Sequence, residues 1–163
     1  MISLRLPEMN RFMAKLLKGE SFDEFLLKEG YLRTGMEYRF QGHIFPEYFD
    51  TEERENLKEE FVRWSEVKPV VFELIKGKKT PLAFSFTMLL SCEDRDGFLR
   101  EYGIAVGEDH PSLYLQIRFE HGIGRIVTGT ARNTFTLDKS MDKAWDAEVV
   151  KRLKQMEIAA ENE

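Results

Sequence analysis

Cysteine is nearly absent from this 163-residue chain, where Cys92 stands alone. One thiol cannot build an intramolecular disulfide framework or a multi-cysteine zinc site. Histidine is scarce as well, with His43, His110 and His121 the three present. None of them has a second His, a Cys or a carboxylate at a familiar ligand spacing on a helix. No run approaches the roughly 18 apolar residues of a membrane span. The opening MISLRLPEMN lacks the apolar core of a signal peptide. By elimination the chain is expected in the cytoplasm, without membrane contact. Positive charge is not in excess: 24 Lys and Arg face 29 Asp and Glu, a net charge of -5. Whole-molecule attraction to nucleic acid is therefore not expected, and any such contact needs a local basic patch.

Catalytic signatures are missing too. Gly77-Lys78-Lys79-Thr80 resembles the end of a phosphate loop, but Phe72 stands where the loop's first glycine belongs. The order around it also reads helix then strand, the reverse of what that loop needs. Lys76, Lys78 and Lys79 instead suit the negative end of a helix, with a weaker anion-binding role. Gly122, Gly124 and Gly129 fall within a hairpin and its strand, so they are no dinucleotide fingerprint. No serine sits in a G-x-S-x-G elbow. Acidic neighbours raise the Cys92 thiol and argue against a catalytic thiolate. Glu93, Asp94, Asp96, Glu108, Asp109 and His110 could converge on a divalent ion, but acids at a helix start are already favoured by its dipole. No catalytic residue, metal centre or cofactor is assigned.

What the chain has is a patterned apolar fraction of 42% and thirteen Phe residues, enough for a well-packed core. Its length suits one domain over residues 1–163. Ile2, Leu4 and Leu6 alternate as a strand. Met9, Phe12, Met13, Leu16 and Leu17 recur at helical spacing, and Gly19 follows as a stop. Phe25 to Arg33 reads as a strand with apolar residues on both faces. A turn at Thr34-Gly35 leads to a half-buried strand from Met36 to Ile44. The same order returns as a strand over Leu82 to Leu90, a helix over Glu93 to Tyr102, and strands over Leu113 to Phe119 and Arg125 to Leu137. The sequence thus predicts two β-α-β-β half-repeats, at about 2–45 and 82–137. A helical connection spans 50–77: a charged surface helix from Asp50 to Phe61, then a helix beginning at Ser65 or Pro69 and ending at Gly77. A final helix covers 140–157, and the tail after Ala159 is expected to fray. Trp64 and Trp145 belong to the core or its edge.

Arg11, Lys15 and Lys18 recur at helical spacing on the wet side of the first helix. Such a stripe could meet phosphates without reading sequence. Arg95 and Arg100 on the second repeat helix are weaker candidates for the same role.

Two resemblances can be stated. The segments MISLRLPEMNRFMAKLLKGESFDEFLL, LIKGKKTPLAFSF and TGTARNTFTLDKSMDKAWD resemble an uncharacterised domain-of-unknown-function family of Gram-positive bacteria, which implies no activity. The duplicated β-α-β-β unit, with SLYLQIRFEHGIGRIVTGTARNTFTL as its second hairpin, is similar to one domain of a DNA sliding clamp. That resemblance implies repeat helices turned toward DNA. It departs where the second helix carries Asp94, Asp96 and Glu101, and where one clamp domain stands in place of six.

The expected fold is α+β, a mainly antiparallel sheet with helices on its faces. The expected role is a non-catalytic, clamp-like interaction module contacting nucleic acid or a protein partner. The alternative is an enzyme or a small-molecule- or metal-binding protein with a pocket between sheet and helices. Oligomeric state is left open.

Overall fold

Seven strands pair in one antiparallel sheet in a computed structural model that describes residues 1–105, 107 and 109–163. Chain order is β1 (Ser3–Leu6), α1 (Met9–Leu17), β2 (Leu26–Arg33), β3 (Glu37–Gln41), α2 (Thr51–Glu55), α3 (Trp64–Ile75), β4 (Ala83–Leu89), α4 (Cys92–Glu101), β5 (Ser112–Glu120), β6 (Ile123–Ala131), α5 (Ser140–Gln155) and β7 (Glu161–Asn162). The sheet runs β3-β2-β4-β5-β6-β1-β7. The fold is therefore α+β.

The alternating residues decide which face is covered. Phe84, Phe86 and Met88 of β4 stand opposite Phe119, Ile117 and Leu115 of β5. Ile126 of β6 continues that row to Leu4 of β1. Four helices cover this face. Trp64 of α3 packs on Phe86 at 5.1 Å and donates its Nε1 hydrogen to the Leu16 carbonyl of α1 at 2.9 Å. Trp145 of α5 donates to the Tyr114 carbonyl at 2.8 Å, and Phe98 of α4 meets its ring edge-on at 5.6 Å. Both tryptophans are fully buried, each with its one polar atom satisfied.

The two repeat units share their element order but not their pairing. β4 lies beside its own hairpin, β5-β6, whereas β1 lies across the sheet from β2-β3 and pairs with β6. No exchange of the two units preserves the strand order. The pairing gives the clamp resemblance no support.

Several expected boundaries move. The strand from Arg125 ends at Ala131, so Thr134 and Thr136 lie in a loop. The surface helix shrinks to α2, where Asp50 is the N-cap and forms a full capping box with Glu53. With only Leu57 and Phe61 to bury, the segment gains too little from packing to extend the helix. Phe61 instead bridges to His43. α3 begins at Trp64, ahead of either expected start, and keeps Pro69 inside. The expected Met36–Ile44 strand is shorter, and Gly42 lets the backbone close in: a Cβ there would sit 1.7 Å from the Leu27 carbonyl oxygen. A bulge between Leu27 and Glu29 explains the apolar residues on both faces of β2. The tail does not fray, because Glu161 and Asn162 pair with Arg5 and Leu4 as β7.

Candidate anion-binding groove

α1 is short, and its apolar stripe of Phe12, Leu16 and Leu17 is buried. That leaves its flanks to meet whatever packs alongside. On one flank lies the C-terminal end of α3. There Lys76 caps the helix and Gly77 takes a φ of 131°, a conformation side chains rarely adopt. Lys78, Lys79 and Thr80 then turn the chain toward β4.

Between these elements runs a groove of about 520 Å³. Met13 and Leu17 of α1 and Phe72 and Ile75 of α3 line its apolar floor, and Lys18, Lys76, Lys78 and Lys79 stand along its rim. The Lys18 ammonium lies 5.6 Å from the centre of the Phe72 ring, a cation-π contact that holds the side chain over the floor. Lys76 is paired with Glu73 at 2.5 Å. Lys18, Lys78 and Lys79 make no ion pair among the described residues. The α3 carbonyl end adds negative partial charge, which favours cations here without neutralising them.

The structure thus divides the expected basic stripe. Lys18 joins Lys76, Lys78 and Lys79. Arg11 and Lys15 line a separate crevice on the other flank of α1, against Glu157 and Ile158. Lys15 is committed there, donating from Nζ to the Met156 carbonyl at 2.7 Å and closing the C-terminal end of α5. Arg95 is largely buried and pairs with Asp96 at 3.2 Å, while Arg100 is exposed on α4. α4 meets α5 at Trp145 and α1 meets it at Met156, positions about 16 Å apart along a helix. Arg95 and Arg100 therefore do not join the α1 cations.

The other candidates are spread out. Glu93 and Asp94 occupy the first turn of α4, capped by Ser91. Asp109 is taken by Arg132 at 3.0 Å. His110 is exposed, and Glu108 lies outside the described residues. Among the described residues, no three His, Cys, Asp or Glu side chains are placed to hold a metal ion. The Cys92 thiol is pushed up chiefly by burial and then by Glu59, which also accepts from the Cys92 amide at 2.9 Å. Glu59 comes from a distant segment, so the sequence neighbours alone did not reveal it. Phe72 was also hidden. Its place in the groove depends on α1 packing beside α3, which neither helix's own periodicity encodes.

No curated protein and no solved structure matches the chain. Its relationship lies with sequences that have no assigned activity, in keeping with the first of the two resemblances: the chain belongs to the family of unknown function DUF5721, which matches residues 15–161.

Proposed function

We propose that the protein is a non-catalytic interaction module, and that the groove between α1 and α3 takes an acidic, partly apolar segment of a protein partner. The observation that carries this is the convergence of Lys18 with Lys76, Lys78 and Lys79 around Met13, Leu17, Phe72 and Ile75. Phosphate backbones have no use for an apolar floor, whereas an amphipathic peptide uses both parts of such a groove. The net charge of -5 points the same way. A long polyanion would run off the groove onto acidic surface, while a short segment meets only the cations. A bacterial, cytoplasmic setting is part of this reading, and the lone thiol of Cys92 supports a reducing compartment.

A pocket between sheet and helices, as an enzyme would need, gains no support from the packing. That layer is filled by Leu16, Trp64, Phe84, Phe86, Ile117 and Trp145.

The test uses a fluorescein-labelled synthetic helix with Glu on one face and Leu on the other. Anisotropy should report binding that weakens with salt. A variant with Lys18→Glu, Lys78→Glu and Lys79→Glu should lose at least about tenfold in affinity, since it turns three attractive rim charges, each worth about 0.2–1 kcal/mol, into repulsive ones. Equal binding by the variant, or none by the wild type, would remove the groove from consideration.

A further inference from the structure

The sheet face opposite the helices carries a row of cations that strand-by-strand reading does not reveal. Each strand contributes one residue at the same height. Arg39 stands opposite Tyr31, Tyr31 opposite Ser85, and Ser85 opposite Arg118. Arg118 stands opposite Arg125, and Arg125 opposite Arg5. Residues directly opposite point to the same face. Three arginines therefore sit side by side on β5, β6 and β1, with a fourth on β3.

Like charges directly opposite one another cost stability. Part of that cost is offset. Glu163 accepts from Arg125 Nε at 2.9 Å, and Glu37 pairs with Arg39 at 3.1 Å. Glu161 stands opposite Arg5 at the far edge. Arg5 and Arg118 are exposed and make no ion pair among the described residues. Like-charge contacts that are compensated only in part are the kind of local rule-breaking that functional surfaces carry.

The surroundings specify the ligand further. Beside the row lies a depression of about 390 Å³, lined by Tyr31, Arg39, Ser85, Thr87 and Gln116. It combines hydrogen-bonding groups, the Glu29 carboxylate among them, with the Tyr31 ring, over which Arg33 lies at 5.5 Å. Tyr114, on the same face, lies over Gly129, where an added Cβ would meet its ring at 2.3 Å. Glu29, Glu37 and Glu120 flank the row on the neighbouring residues of the same face. A broad duplex laid here would cover those acids. A single strand crossing the sheet along the row would pass between them and meet Glu161 and Glu163 at its β7 end.

We infer that this face binds single-stranded nucleic acid, its phosphates following Arg118, Arg125 and Arg5 and its bases meeting Tyr31 and the polar depression. Six strands separate Arg39 from Arg5 inclusively, a span of about 24 Å at the usual strand spacing. Single-strand sites of roughly four nucleotides or more are common at this scale, and they join a cationic track to aromatic platforms in the same way. The site lies on the other face of the sheet from the helical groove, and it stands whether or not that groove binds a peptide.

The experiment is fluorescence anisotropy with a labelled oligodeoxythymidine of about twelve nucleotides. Wild-type protein should bind at about 50 mM salt and lose at least about tenfold in affinity by about 200 mM. Arg118→Ala should weaken binding and lower the salt slope by about one. Arg5→Ala paired with Arg118→Ala should weaken it further. Both side chains are exposed, and thermal melts will show that the variants fold. Lys78→Ala paired with Lys79→Ala should leave this binding unchanged. No binding by the wild type at low salt, indifference to the arginine variants, or equally effective competition by duplex DNA would each overturn the inference.

Discussion

Asp109 ends β6. Its carboxylate accepts from Arg132 Nε at 3.0 Å and from the Asn133 amide at 3.2 Å, so the backbone leaves the ladder just after Ala131. Thr134 and Thr136 favour a strand by local preference, and their alternation predicts one. A single carboxylate donated from a distant loop overrides that preference, and nothing in the alternation announces it. The Arg132 hydrogen bond, followed by that of Asn133, holds the Asp109 carboxyl below its ordinary range. A depressed folded value contributes stability that is present above the unfolded value, about 3.9, and lost as pH falls through the folded one. Melting temperatures of wild type and Asp109→Asn should therefore differ by a constant amount from about pH 7 to about pH 5, then converge below about pH 4. A difference that persists undiminished at about pH 3 would show that the charge on Asp109 is not what secures the loop.

At the scale of elements, the helices were the most legible. α1, α4 and α5 fall within a few residues of their apolar stripes, because each stripe is buried by the same face of one sheet. Pairing was far less legible. The hairpins β2-β3 and β5-β6 follow from short turns, but β1 beside β6 and β2 beside β4 join segments remote in sequence. β7 could not be read at all, since two exposed residues carry no periodicity and owe their place to Arg5 and Leu4. The arginine row is invisible for the same reason: each Arg is an ordinary wet position on its own strand, and only register lines them up. This gives the row a second consequence. Arg118→Thr removes one of the two like-charge neighbours of Arg125 and adds a β-branched side chain, so it should raise stability by about 0.5 kcal/mol. Urea unfolding would measure that. A destabilised Arg118→Thr variant would mean that the row is electrostatically satisfied by groups along its length, and the strain argument for it would fail.

For the molecule as a whole, the sheet separates two surfaces of opposite build. One side buries its apolar residues under four helices and leaves a lysine-rimmed groove at their edge; the other leaves polar side chains and arginines outward. With a net charge of -5, contact with an anion needs a local cationic patch, and these two are the places proposed for it. A core that continues from Leu4 through Ile117 and Phe86 to Leu32 ties the faces into one packed body. Neither proposed ligand has a route to the other's side chains, so neither should alter the other's affinity through direct contact. A ligand that binds only the folded state raises the melting temperature by mass action, and distant independent sites contribute additively. Thermal shift with the acidic amphipathic peptide and with oligodeoxythymidine should therefore give two separate increments whose sum appears when both are saturating. The groove variant should reduce the first increment alone, and the arginine variant the second alone. If saturating peptide removes the oligonucleotide increment, both anions are competing for one cationic surface, and the assignment of two faces to two partners is wrong.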